Sequence, residues 1–545
     1  MEKVGGHHSF QLRALVTLGL AFMHPAMLYS GLFFMLLIPT AMCENSSRVM
    51  RQCTLEQACR NQSHFLFSVQ NERSVVFEWR LVCENESLRL LIPLVLLAGT
   101  VHTGLVLGSF LFAKAGEVLG RKKTLTWSLI ASCVSEFILF CSASAYFFSG
   151  ALLLVGLTLP GALFMPPLLL TEMMDSGHRA AFYFYLQLFA CLGAVCSALL
   201  SYAMFTWRPL VLGSLGAGLL ALVLVQRLKE SPRYYAANLS RYQKARSIFQ
   251  RMASTNRESM FEGTLVGEQM NEYVETGGHQ AEKSEIPDQT ADRSEILDNS
   301  GQHPVSYIDD SVKARESELE RGQRCGFVHL CLYASCRSKS LRLFFTSFTT
   351  GLACTLNWHQ PALVPSPYFA LALHSFLYAS LILVLLCFTA FIGRKISALL
   401  LVLLISITIG VLGAQSHVSL SPEAVTALYA ATGLCSAGLW LVLGLWGMEL
   451  MPTPVRSLVA GGCLGLGIAG SMVIPALGTG GQEGHWTVAV CSLLSLLLLS
   501  SLHETKTKPL QDFIEELSDS TAPVKEAPKP PGRPADFSPF NEAQD

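Results

Sequence analysis

Charge is scarce in this chain. Asp, Glu, Lys and Arg make up 14% of its 545 residues, where ordinary soluble domains carry roughly 25%. The 39 Lys and Arg almost cancel the 40 Asp and Glu, leaving a formal net charge of −1. Nucleic acid would find no basic footprint here. No Walker-type loop, Ser-His-Asp order or cofactor-binding glycine loop stands out, so ATP-driven work, enzymatic chemistry and a bound cofactor are not expected. Cys325, His329, Cys331 and Cys336 match no usual zinc spacing, and no metal site is expected there. A cleavable leader is not expected either. The first apolar run, 12–38, is too long for one and lacks a small-residue cleavage site.

What is present is apolar length. Hydrophobic residues make up 51% of the chain. They fall in stretches of about the 20 residues that cross a bilayer, at 12–38, 90–112, 124–144, 146–170, 182–206, 209–228, 341–358, 367–391, 396–415, 423–448, 458–479 and 486–503. In lipid every backbone N–H and C=O must be paired within the protein, so these stretches read as helices embedded in the bilayer. The expected fold is an all-α membrane protein with 12 transmembrane helices in two six-helix halves. The expected order is an N-terminus and first helix (1–38), an outer loop (39–89), helices 2–6 (90–228), a loop (229–340), helices 7–12 (341–503) and a Pro-rich tail (504–545).

Lys and Arg set the orientation. Lys114, Arg121, Lys122 and Lys123 separate helices 2 and 3, Arg394 and Lys395 separate 8 and 9, and Arg456 separates 10 and 11. The opposite loops at 359–366, 416–422 and 480–485 hold neither residue. Cationic loops stay in the cytosol, so both termini and the long middle loop are expected there. Residues 39–89 then face outward. That loop carries Cys43, Cys53, Cys59 and Cys83 as disulfide candidates, with three pairings open. Asn45, Asn61 and Asn85 head three N-glycosylation sequons within it. Residues 258–320 hold 16 acidic against four basic residues, a disordered composition. This loop is a solvated linker or a docking segment for a cytosolic partner.

Several strings then match one family. Phe77-Glu78-Trp79-Arg80-Leu81-Val82-Cys83 precedes helix 2, and Glu117-Val118-Leu119-Gly120-Arg121-Lys122-Lys123 follows it. Thr171-Glu172 with Arg179 follows helix 4. Glu230-Ser231-Pro232-Arg233 follows helix 6. Glu449-Leu450-Met451-Pro452-Thr453 with Arg456 follows helix 10, and Glu504-Thr505-Lys506 follows helix 12. In this order the strings resemble the organic cation and anion transporters, solute carrier family 22 of the major facilitator superfamily. The resemblance implies plasma-membrane carriage of small organic solutes by two halves rocking about a central site. It also makes Glu117, Gly120, Arg121, Glu172, Arg179, Glu230, Arg233, Glu449 and Arg456 a candidate latch. Positive-inside counting alone gives no reason for the glutamates.

The departures from the family are informative. The acid expected after helix 8 is Ala390, and an early helix-4 arginine is Leu152, so the latch reads as thinner than usual, most of all in the second half. A position acidic in many cation carriers and basic in many anion carriers is Ile468. A helix-8 acid is Tyr378, and a helix-4 lysine and tryptophan are Pro160 and Leu163. Gln187 is retained. Candidate substrate-facing residues are Gln187, His24, Tyr378, His374, Trp440 and Ile468. Glu136 is the one acid well inside a span and reads as hydrogen-bonded or functional. The alternative reading is a transport-deficient relative acting as a receptor or scaffold.

Overall fold

Helices dominate because the long apolar runs leave the backbone no partner but itself. The computed structural model describes residues 8–37, 41–44, 50–53, 65–67, 74–79, 100–204, 206–236, 242–256, 330, 333–356, 366–415, 419–477 and 482–511. Ten membrane-length apolar spans lie among them. They are α1 (Ser9–Met35), α4 (Arg121–Phe140), the pair α5–α6 (Ala145–Thr158 and Pro160–Glu172), α7 (Arg179–Met204), α8 (Arg208–Val225), α12 (Pro367–Ile392), α13 (Arg394–Gly413), α14 (Pro422–Leu450), α15 (Thr453–Leu477) and α16 (Gln482–Ser500). Two less apolar helices, α3 (His102–Leu119) and α11 (Ala334–Thr355), pack among them. Together these account for twelve rods, six on each side of the middle loop. The protein is a multi-pass membrane protein.

The fourth rod is two helices rather than one because Pro160 heads α6 and Pro166 and Pro167 lie inside it. Proline removes a backbone donor and fixes φ, which favours such a break. The polarity of α11 is turned inward. Thr346, Thr349 and Thr350 are buried, and their hydroxyls donate to carbonyls one turn back. Outside the helices, β1 (Ala41–Glu44) pairs antiparallel with β2 (Met50–Cys53) and with β3 (Phe65–Phe67). This small sheet was not expected from the sequence. Cys43 on β1 is disulfide-bonded. Cys59, Cys83, the three sequon asparagines and residues 258–320 lie outside the described residues, as does the Cys53 side chain.

The halves meet along α3 with α15 and α7 with α12. Gly461 makes the first contact close, since a Cβ there would lie 2.6 Å from Ala113 Cβ and 2.7 Å from Ser109 O. Three shorter helices complete the architecture: α2 (Val75–Glu78), α9 (Pro232–Ala236) and α10 (Tyr242–Asn256). The last is amphipathic. It buries Ile248, Met252 and Ala253 against Phe10 and Tyr235 at one end of the N-terminal half.

Candidate functional site

The Lys/Arg-rich face is built around two buried carboxylates. Glu172 ends α6 and Glu449 lies near the end of α14. In the N-terminal half Gly120 starts α4 with φ +101° and ψ 161°, a region that only glycine occupies freely. This turn aims Arg121 inward. Its Nε donates to Glu172 at 3.3 Å and one terminal nitrogen donates to Thr453 O of the other half at 2.7 Å. Glu172 also accepts from Arg456, on α15 of the other half, at 3.0 Å.

The second half repeats this layout. Gly393 starts α13 with φ +91°. Arg394 donates twice to Glu449, at 3.2 and 3.3 Å. Glu449 in turn accepts from Arg179, on α7 of the other half, at 3.2 Å and from Thr505 Oγ1 at 2.5 Å. Each carboxylate is thus held by an arginine of its own half and one of the opposite half. The second half is therefore no thinner than the first at this hub, against the reading drawn from Ala390. Its arginine was taken from the sequence only as a topology marker. The repeat of Gly120-Arg121 at Gly393-Arg394 was the available signal.

Glu117 makes a further link across the halves. Its carboxylate accepts from the backbone N–H of Ser457 at 2.9 Å and Leu458 at 3.3 Å, in the first turn of α15. The positive end of the helix dipole favours an anion there. Arg121, Arg179 and Arg456 are no more than 1% exposed. Exposed ion pairs contribute little, whereas breaking buried ones is costly.

Glu230 and Glu504 brace the two turns. Glu230 accepts from the N–H groups of Lys122 and Ser231 at 2.9 and 3.0 Å. Glu504 accepts from those of Arg394, Lys395, Thr505 and Lys506 at 2.9–3.1 Å. Burial pushes Glu230 above the usual carboxylate range despite its hydrogen bonds. Burial also opposes ionisation of half-buried Glu504, but its four backbone donors outweigh that and lower it. A lowered carboxylate stabilises the fold above its unfolded pKa and loses that contribution as pH falls. Melting temperature should therefore drop on acidification below about pH 4.3, and Glu504→Gln should flatten the drop. An unchanged slope in Glu504→Gln would contradict the assignment. Arg233 lies within electrostatic reach of Arg179 and donates to Leu510 O at 3.5 Å.

At membrane depth the substrate candidates separate. Gln187 is buried and hydrogen-bonds Tyr183 on the same face of α7. The Tyr183 hydroxyl reaches across to α14, where it occupies the space a side chain at Gly444 would need. Tyr378 on α12 is partly buried and has Tyr183, Cys191 and Cys354 as titratable neighbours. Tyr29 on α1 lies 3.3 Å from His102 Nε2 on α3. His374 on α12 is exposed. Ile468 is partly buried against the apolar cluster that holds Leu28, Leu32 and Phe34.

Two candidates lie elsewhere. The Trp440 ring covers Gly467 on α15, packing within the C-terminal half. His24 is fully buried and bonds Glu136 of α4 at 2.5 Å. The His24–Glu136 contact was not singled out from the sequence, since its partners lie 112 residues apart. Near the opposite face Phe34 stacks on Tyr368 at 5.2 Å, and Tyr202 meets the same ring at 5.7 Å. The halves therefore touch at both ends, with the tyrosine and Gln187 set between.

Two six-helix halves are joined at one face by paired carboxylate–arginine hubs. The sugar (and other) transporter family profile matches residues 65–303. The beta-alanine transporter of Drosophila melanogaster is 24% identical over 469 residues, 84% of this chain and 68% of that protein. The organic cation transporter protein of Drosophila melanogaster is 23% identical over 291 residues, 52% of this chain and 44% of that protein. The chain thus spans about two thirds of the first and less than half of the second. Solute carrier family 22 member 27 of Mus musculus is 24% identical over 462 residues, 82% of this chain and 73% of that protein. Among solved structures, the proton:xylose symporter XylE bound to 6-bromo-6-deoxy-D-glucose superposes with a TM-score of 0.63 at 14% identity, covering 93% of this chain and 99% of that one. The chain has the major facilitator fold, and its relatives are solute carrier family 22 and other organic cation transporters.

Proposed function

We propose that this protein carries small organic solutes across the plasma membrane by alternating access, with both termini and the middle loop in the cytosol. The observation that supports it most is the pair of buried hubs, Glu172 with Arg121 and Arg456, and Glu449 with Arg394 and Arg179. Buried charges that bridge two halves at one face suit a contact that must form and break, because their removal from water is repaid only in the closed arrangement.

The cargo class follows from the central path. Among the described residues Glu136 is the one carboxylate well inside a membrane helix, and His24 already occupies it. Burying a compact ion without a counter-charge is costly. The tyrosines and Gln187 instead suit uncharged, zwitterionic or charge-delocalised organic solutes, which stack and hydrogen-bond. The relatives named for organic cations and for beta-alanine are consistent with such a range. The decisive experiment is uptake of labelled organic solutes into vesicles holding the purified protein. Saturable flux that is lost in Gln187→Ala and in Arg121→Ala supports carriage. Tight binding of a protein ligand with no flux would instead favour a receptor.

Ile468→Asp should raise uptake of cations over matched neutral analogues, since it adds a counter-charge near the path. An unchanged ratio would remove Ile468 from the path. Peptide N-glycosidase should lower the apparent mass, and Asn45→Gln with Asn61→Gln should remove most of that shift. Absence of any shift in the unsubstituted protein would argue against the outward loop.

A further inference from the structure

We propose that a groove on the flank of the N-terminal half, between the start of α4 and the end of α8, binds the headgroup of an anionic phospholipid. The groove has a volume of about 530 Å³ and is lined by Lys122, Lys123 and Lys229. Glu230 is the carboxylate at its wall, and it is already engaged by the N–H groups of Lys122 and Ser231. Lys122 directs its ammonium to Gln226 O at 3.1 Å and lies within electrostatic reach of Glu230, which attracts it, and of Lys229, which repels it less strongly. Lys123 and Lys229 are exposed, and neither has an acidic partner among the described residues. Three cations facing one cavity repel one another, and an anion placed between them relieves that repulsion.

The apolar part of the lining says which kind of anion. Lys123, Trp127 and Ile130 succeed one another along one face of α4, at spacings that bring side chains together. Trp127 is 60% exposed. From its start toward the membrane interior, this face offers a cation, an interfacial aromatic ring and an aliphatic group. A phospholipid has the matching sequence of phosphate, glycerol and acyl chain. Inorganic phosphate would use the lysines and leave the Trp127 and Ile130 strip unmatched. The orientation proposed above puts the groove in the inner leaflet, where anionic lipids concentrate. The binding itself does not depend on transport.

Native mass spectrometry of the purified full-length protein tests this with phosphatidylserine, phosphatidylcholine and soluble glycerophosphoserine as probes. Phosphatidylserine should be retained over phosphatidylcholine. Lys123→Gln with Lys229→Gln should weaken that retention by about tenfold. Lys244→Gln with Arg246→Gln, which removes the same charge from exposed positions on α10, should not. Melting curves of both double variants check that they fold. Equal retention of the two lipids, or equal loss in both double variants, would overturn the proposal. Glycerophosphoserine binding as tightly as the lipid would also overturn it, by showing a free-anion site. Loss of transport with lipid retention intact would count against the carrier reading alone.

Discussion

Glu136→Leu should destabilise the protein by about 3–5 kcal/mol, and adding His24→Leu should restore most of that loss. The two side chains are fully buried and 2.5 Å apart. The contact joins an imidazole nitrogen to a carboxylate oxygen, so each satisfies a polar atom of the other in the bilayer interior. Their remaining polar atoms, His24 Nδ1 and Glu136 Oε2, have no partner. Gly218 of α8 closes the site, because a Cβ there would lie 2.9 Å from the His24 ring and from Cys133 Sγ. Removing one member strands the other at membrane depth, where an ionisable group is expensive. Removing both leaves two apolar side chains between α1 and α4, which replaces the pair by ordinary packing. Thermal melts of the two single variants and the double variant in detergent would read the coupling. Losses that simply add would show that the pair is not a unit.

Arg179→Ala combined with Arg456→Ala should open the Lys/Arg-rich face. Each arginine is buried and donates across the halves, to Glu449 at 3.2 Å and to Glu172 at 3.0 Å. Each loss leaves a buried carboxylate with a single arginine, that of its own half. Breaking one such contact costs about 3–5 kcal/mol, and the loss falls on this closed arrangement, the one in which the contact exists. About 5.5 kcal/mol suffices to turn a 1:99 equilibrium into 99:1, so the double variant should invert the conformational population. Cys336, buried at this end of α11, is a natural reporter. Its modification by a maleimide, followed peptide by peptide, should accelerate strongly in the double variant and little in the Lys–Lys counterpart. Unchanged labelling in the double variant would mean that other contacts hold the face shut.

Much of this architecture is legible in the sequence, for physical reasons. Bilayer thickness fixes the length of an apolar run, so rods such as α13 and α16 announce themselves. The exception is α11, whose buried face is threonine and serine satisfied by its own backbone, so hydropathy understates it. The small sheet at Ala41–Phe67 is invisible because its strands are too short to show a period. At the hubs, Glu172, Arg179, Glu449 and Arg456 stand out because glutamates beside membrane helices have no topological purpose. Arg394 was hidden by that same rule, since a loop arginine is sufficiently explained by orientation. The His24–Glu136 contact was beyond reach, because each residue alone is adequately read as a packed polar group and only the fold shows that they meet.

Alternating access itself is tested most directly by measuring the separation of the two halves. Spin labels on exposed Gln250 of α10 and exposed Phe391 of α12 would report it by electron–electron double resonance. The account predicts one short distance in the intact protein and a second, longer population in Arg179→Ala with Arg456→Ala. A single distance, identical in both proteins and unmoved by any transported solute, would contradict it.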